Sequence, residues 1–295
     1  MLDSGAVQSI AVAATPLGPE VYLGTANGGV WKSSTTLNLN DPTTYQWNPL
    51  TDKQTSLSVG SMAVDPMDPT GNTLWVGTGG VSSAGRSGIA AGLLKTTNGG
   101  ETWTQMASAS LGGTTINNVA PTNYTDPMTG HEDIVVAAGS DIWFSNDGGN
   151  TFTQSLLGSA DVDVISDPAF GSTRVFAAIA GYGVFESDQG GAQSTWFRVD
   201  TNQTQLSQAA HIKLAAWADG RGTELYVATS VNNQQNNVDN LTAVFQAIIP
   251  SQGQPTWTSL PAIPNTGSYF YYPYFAMAVD PLNTDVVYVG GGNGG

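Results

Sequence analysis

The chain has 295 residues, 40% of them hydrophobic, with 8 Lys+Arg against 23 Asp+Glu and no cysteine. That much apolar material in a chain this long hides roughly 75% of its unfolded surface, which argues against disorder. A formal charge of −15 repels phosphate backbones and anionic lipid, no apolar run reaches the roughly 20 residues of a spanning helix, and disulfides, thiolate metal sites and thiol nucleophiles are excluded.

Gly accounts for 36 residues and charged residues for only 11%, whereas exposed helix faces need Glu, Lys and Arg, so an all-β fold is expected. The acidic, Gly/Thr/Ser/Asn-rich composition matches exported bacterial proteins and points to an extracellular or cell-surface setting. The opening MLDSGAVQSIAVAATPLG carries no Lys or Arg before its apolar stretch, so an export signal is expected to lie elsewhere.

In chain order, four short strand signals recur. The first is an apolar run closed by a Pro turn: SIAVAATP at 9–16, SMAVDP at 61–66, DVISDP at 163–168 and AMAVDP at 276–281. The second is β-branched or aromatic and ends in small residues, in six copies: VYLGT at 21–25, LWVGT at 74–78, IVVAAG at 134–139, VFAAIA at 175–180, LYVATS at 225–230 and VYVGGG at 287–292. The third follows as GVW at 29–31, GLLK at 92–95, DIWF at 141–144, GVFE at 183–186 and AVFQ at 243–246; the fourth is anchored by Trp47, Trp103, Phe152, Trp196 and Trp257. Short strands joined by Gly, Asn and Asp turns, with no helical periodicity between them, predict four-stranded antiparallel sheets repeated about an axis. The expected fold is a single β-propeller over 1–295, with complete blades at about 9–50, 58–106, 116–155, 162–199 and 212–260 and a partial sixth at 274–295. The sixth lacks its third and fourth strands, so the chain is expected to be truncated at its C-terminus, with an exposed edge and further blades or domains in a longer parent.

Two turns between third and fourth strands, TTNGGETW at 96–103 and SNDGGNTF at 145–152, both satisfy [ST]-x-[DN]-x-G-x-[ST]-[WF]. These residues resemble the Asp-box, or bacterial neuraminidase, repeat of the sortilin N-terminal, sialidase and xyloglucanase-like propellers. Thr96, Asn98, Gly100, Thr102 and Trp103, with Ser145, Asp147, Gly149, Thr151 and Phe152, form the two boxes. Asp188 and Trp196 remain of a third. The box reads as a structural staple: a short Asx side chain accepts N–H groups of its own turn, glycine takes positive φ, and the ring packs between sheets.

The resemblance implies a large exported bacterial protein, and the residues test which activity it allows. A sialidase needs three arginines, an acid/base Asp and a Tyr–Glu pair. The chain has Arg86, Arg174, Arg198 and Arg221, lacks the F/Y-R-I-P signature, and its Glu224 and Tyr226 share one face of a strand. Xyloglucan-active relatives carry a catalytic Asp in a TDxGG loop, where this chain has TANGG with Asn27, an amide that cannot act as a general base. No catalytic set is therefore assigned.

Ligand-binding candidates lie on loops 25–29, 51–57, 79–91, 139–141, 180–183, 200–211, 229–240 and 261–274, at the end of the strands away from the boxes. They are Asn27, Asp52, Arg86, Asp141, Tyr182, Tyr271 and Tyr272. The segment 229–240 reads as a polar insertion. His131 and His211 read as surface groups. Asp161 and Asp163 offer oxygens to Ca²⁺ but are too few for a site, and no cofactor or metal is expected. The expected function is a non-catalytic module binding glycan or protein. The alternatives are a glycoside hydrolase whose catalytic set is incomplete in this chain, and a structural spacer in a surface protein.

Overall fold

A computed structural model describes residues 6–33, 46–81, 88–159, 161–169, 171–200, 203–219, 222–233, 238–250, 253–261, 268–269 and 275–293. Among these, strands dominate, and no helix is long and apolar enough to cross a membrane.

The first sheet comprises β1 (Val7–Thr15), β2 (Gly18–Thr25), β3 (Gly29–Ser33) and β4 (Trp47–Pro49). The second comprises β5 (Val59–Val64), β6 (Leu74–Thr78), β7 (Leu93–Thr96) and β8 (Thr104–Met106), and a one-turn helix, α1 (Ser108–Leu111), follows it. The third comprises β9 (Ile116–Thr125), β10 (Glu132–Ala138), β11 (Asp141–Ser145) and β12 (Thr153–Leu156). The fourth comprises β13 (Val162–Ser166), β14 (Val175–Ile179), β15 (Gly183–Ser187) and β16 (Trp196–Arg198). The fifth comprises β17 (His211–Asp219), β18 (Gly222–Asn233), β19 (Val238–Ile249) and β20 (Thr256–Ser259). Last come β21 (Ser268–Tyr269), β22 (Ala276–Val279), β23 (Val287–Gly290) and β24 (Gly292–Asn293), with β22 paired to β23 and β21 to β24. In each four-stranded sheet the spatial order follows the chain order, so among the described residues five sheets have four strands and the β22–β23 pair stands where the spacing predicts a partial sixth.

The chain divides into two compact units, residues 1–121, 125–139 and 145–153, and residues 122–124, 140–144 and 154–295. In the first, small residues of one sheet receive bulky residues of the next: Ala11 and Ala13 pack with Val59 and Met62, and a Cβ on Gly24 would lie 2.5 Å from Val59. In the second, Phe176, Leu214, Leu225 and Phe245 anchor the main cluster, with Trp257 packed against it.

The Asp-Pro pairs are turns with a shared construction. Asp65, Asp126, Asp167 and Asp280 each accept, through Oδ1, the N–H two residues on, from Met67, Met128, Ala169 and Leu282. The second oxygen reaches onward: Asp65 accepts from the Trp75 indole, Asp167 from Arg174 and Asp280 from the Tyr288 hydroxyl.

The turns at 96–103 and 145–152 share a second construction. Gly100 and Gly149 donate their N–H to Thr96 Oγ1 (3.0 Å) and Ser145 Oγ (2.9 Å). Asn98 and Asp147 accept from Thr102 N and Thr151 N. The third turn corrects the expectation for Asp188. Its side chain is exposed, and the hydroxyl anchor is Ser187, which accepts from Gly191 N and bonds Thr195 at 2.6 Å. Position i+2 from that anchor is Gln189, so a hydroxyl pair closes the longer loop in place of an Asx side chain. Indole N–H groups then tie turns to the preceding sheet: Trp103 to Leu50 O, Trp196 to Ser155 Oγ and Trp257 to Val199 O.

One loop expectation is overturned. Residues 229–233 and 238–240 belong to the sheet, because β18 and β19 continue their pairing there, Val231 with Asn240 and Asn233 with Val238. Polar side chains are compatible with such an extension because its ladder is satisfied by the backbone alone.

Candidate functional site

Antiparallel strand order places the hairpins joining second to third strands at one end of every sheet and the Asp-Pro and box-type turns at the other. Tight hairpins with positive-φ glycines build the first end. At 25–29, Thr25 Oγ1 accepts from Gly28 N and donates to Gly29 O, and Gly29 has φ of 74°. A side chain at Gly29 would meet Thr51, whose Oγ1 accepts from Val30 N at 2.8 Å. This contact joins the 25–29 hairpin to the turn that carries Asp52. Asn27 and Asp52 are thus brought into one loop cluster, both exposed to solvent. Ser56, Ser58 and residues 88–89 border it: Ser56 Oγ donates to Ile89 O, and Ser58 Oγ accepts from Gly88 N and donates to Gly80 O.

In the second unit, Asp141 is occupied within its own sheet. Its carboxylate accepts from the Gln154 amide at 2.7 Å and Gly158 N at 3.0 Å. Tyr182 is 57% exposed at the tip of the next hairpin. That hairpin rests on buried Asp200: the missing Cβ of Gly183 would lie 2.4 Å from its carboxylate, which pairs with Arg198 at 2.6 Å. The result is an exposed ring on a turn fixed from beneath. Arg86, Tyr271 and Tyr272 lie outside the described residues.

Asp161 and Asp163 have a different role from metal ligation. Asp161 Oδ2 accepts from Ile212 N (3.2 Å) and lies 3.1 Å from His211 Nδ1, while Asp163 Oδ2 accepts from Leu214 N (2.9 Å). Burial would raise the Asp161 carboxyl, but Lys213, His211 and the Ile212 N–H more than offset it, and its pKa is lowered. The two carboxylates cover backbone donors of β17, and His211 is drawn into that clamp rather than standing as a free surface group. Among the described residues, no group of three or more His, Asp or Glu is arranged to hold a metal.

The carboxyls displaced furthest upward stand at the opposite end. Glu132, which opens β10, is pushed up to about 9 by burial and by neighbouring Asp65, and its Oε1 is buried without a hydrogen-bond partner. Asp133 rises to about 7 through burial and Asp126. Glu186, beside the third box-type turn, also rises to about 7 through burial, with Arg174 opposing. A general acid or base is expected where such displaced groups meet open space. Here they are packed between strands. Tyr226 is buried, donates to Glu224 at 3.0 Å and is pushed up to about 12, chiefly by burial, which places that pair in the packing as strand alternation predicts. Arg174 is bound by Asp167, Thr223 and Pro250 O. The sequence signal for Arg174 was its place one residue before a strand, which identifies neither its partners nor its burial.

No protein-family model matches the chain, and no curated protein matches it in sequence. In fold it is similar to the GH74 enzyme of Niastella koreensis, with TM-score 0.63 and 23% identity over 98% of this chain and 41% of that one. It is also similar to the GH74 xyloglucanase from Xanthomonas campestris, with TM-score 0.62 and 19% identity over 96% of this chain and 41% of that one. The β-propeller domain of Cps50 (Swd1) from Myceliophteria thermophila matches with TM-score 0.51 and 12% identity, over 97% and 82%. The chain spans 41% of the length of the two hydrolases. These likenesses identify its four-stranded sheets as blades of a β-propeller.

Proposed function

We propose that this chain is a glycan-binding propeller module of the Asp-box type, part of a larger exported bacterial protein, which holds a polysaccharide on its hairpin-loop end without cleaving it. The observation that carries the reading is Asn27. It stands exposed at the tip of the 25–29 hairpin, where the resembling xyloglucan-active family has an aspartate, and an amide cannot accept a proton as a general base. In the second unit, Tyr182 is an exposed ring on a turn supported from beneath and is suited by itself to stacking on the apolar face of a sugar. The upward-displaced carboxyls lie at the other end of the strands, away from this surface.

A second reading, a glycoside hydrolase whose acid–base pair is completed outside this chain, is favoured by the likeness to two GH74 enzymes more than twice its length. The test is affinity electrophoresis and calorimetry with xyloglucan, mixed-linkage β-glucan and a sialylated glycan, run beside a reducing-sugar assay. The binding reading expects retention of at least one polysaccharide, weakened by Tyr182→Ala, with no sugar release. Sugar release abolished by Asp52→Asn or Asp141→Asn overturns it in favour of the hydrolase. Absence of any binding at millimolar glycan leaves a structural spacer.

A further inference from the structure

The end opposite the hairpin loops carries an unexpected pattern. Turn tips normally take Gly, Asn, Asp or Ser, each for a local backbone reason. Here the residue after proline is a large exposed apolar one in four turns: Leu17 at 88%, Met67 at 40% and Met128 at 94%, successive in the first unit, and Leu282 at 96% in the second, whereas the Asp167–Pro168 turn carries the half-buried Ala169. The Asx and Ser/Thr turn geometry explains the Asp or Thr and the Pro at these tips. It gives no reason for Leu or Met, because the side chain there points into water.

In the first unit the three turns are neighbours. Gly71, in the Met67 turn, would place a Cβ 2.9 Å from Ala14 O, next to the turn bearing Leu17. Met67 Sδ accepts from Thr125 Oγ1 at 3.6 Å, and Thr125 leads directly into the turn bearing Met128. Between the apolar tips stand carboxylates. Asp68 is held ionised, its pKa lowered to about 2 because hydrogen bonds from Thr70 and Thr73 outweigh desolvation. Asp147 is likewise lowered: hydrogen bonds from Thr151, Ser145 and Asn150 outweigh burial. Asp126 accepts from Asn146, and Glu101 is exposed on the adjoining turn. The unit's nearby cations are committed inward, with Lys32 on Glu20 at 2.7 Å and Lys95 over the Trp75 ring at 4.0 Å.

We infer that this row of Leu and Met tips set among carboxylates is a docking surface for a basic amphipathic peptide segment of a partner protein, one that alternates aliphatic and Lys/Arg residues. Methionine's unbranched, polarisable side chain adapts to varied apolar partners, and the acidic surround selects cations while repelling anionic ones. Three tips cover too little area for an obligate interface, so the association is a transient one. The surface is independent of the glycan reading, because it lies at the other end of the strands.

The experiment uses fluorescein-labelled dodecapeptides built from Lys and Leu, from Lys and Ser, and from Glu and Leu, titrated with the whole chain and read by anisotropy. The Lys/Leu peptide is expected to bind at least about tenfold more tightly than either control. The double variant Met67→Ser/Met128→Ser should weaken it about tenfold, Met67→Leu/Met128→Leu should retain it, and Ile89→Ser at the opposite end should leave it unchanged. Glu101→Gln should weaken binding and flatten its salt dependence. Unchanged melting temperatures verify that each variant folds. Equal binding of the Lys/Ser peptide, or no effect of the double Ser variant, overturns the proposal. Methionine-dependent capture by phosphatidylcholine vesicles without peptide binding overturns it in favour of a membrane.

Discussion

The Trp103 indole donates its N–H to the carbonyl of Leu50, 53 residues earlier, at 3.1 Å. Leu50 follows the last strand of the first sheet and Trp103 precedes the last strand of the second, so one hydrogen bond joins the C-terminal end of one outer strand to the N-terminal end of the next. Trp103→Phe keeps the ring and removes the donor, and should cost about 1 kcal/mol. Trp103→Ala removes the ring as well and should cost about 3 kcal/mol. Urea unfolding of both variants checks the ratio, and equal losses would show that the hydrogen bond, not the ring, carries the joint.

Gly149 and Gly113 separate two penalties that glycine replacement usually mixes. Both have positive φ, at 84° and 83°. A Cβ at Gly149 would lie 2.7 Å from the Trp75 ring, whereas at Gly113 nothing lies within 4 Å. Gly113→Ala should therefore cost only the left-handed backbone term, about 1 to 2 kcal/mol. Gly149→Ala adds overpacking of about 1 to 3 kcal/mol. Thermal melts should rank wild type, Gly113→Ala and Gly149→Ala in falling order.

Stability should fall as the medium becomes alkaline. Glu132 has a folded pKa of about 9 against a reference of 4.5, so the fold favours its protonated form. That contribution is complete below about 4.5 and is lost progressively as pH rises towards 9. Asp133 and Glu186, both raised to about 7, act in the same direction. Asp68, lowered to about 2, acts oppositely: its contribution is present above its reference of 3.8 and is lost as pH falls through the folded value. The stability maximum is expected near pH 4 to 5. Glu132→Gln should stabilise the protein at pH 9 and flatten the alkaline limb of a pH series of melting temperatures, and an unchanged limb would remove Glu132 as its cause.

Asn123 begins an Asn-Tyr-Thr sequon, yet it is buried and donates its amide to Asp167 O at 3.1 Å. In the folded protein its amide is out of reach of an oligosaccharyltransferase, so incubating the folded chain with that enzyme and its lipid-linked donor should leave Asn123 unglycosylated. Intact-mass and peptide analysis would detect occupancy, and Asn123→Asp, which replaces the donor by a carboxylate facing a carbonyl, should be destabilising.

The repeat was legible because each second strand is buried on both faces, so near-continuous apolar runs, VYLGT, LWVGT and LYVAT, recur wherever a second strand is needed. The two complete turn motifs were legible for the same local reason, their hydrogen bonds being internal to eight residues. What could not be read were contacts set by the neighbouring sheet. Asp188 matches the motif by residue type only, one position before the Asx site; Gln189 stands at that site, and the hydroxyls of Ser187 and Thr195 close the turn instead. The 229–240 segment has the composition of a loop, yet its residues 229–233 and 238–240 are held by backbone pairing, which composition does not encode. At the loop end, Asn27 and Asp52 are 25 positions apart in sequence, and only the Thr51 contact with Gly29 shows that they share a cluster.

Trp257 has the most degraded of the turn segments around it, QAIIPSQGQPTW, and still makes its indole bond to Val199 O at 2.9 Å. The attachment therefore tolerates loss of the hydroxyl, the Asx and the paired glycines, provided the ring stays in place. Such a joint frees the intervening residues to drift, lengthen or acquire new roles while the architecture persists, so in diverged copies the aromatic anchor is the last trace of the repeat to be erased.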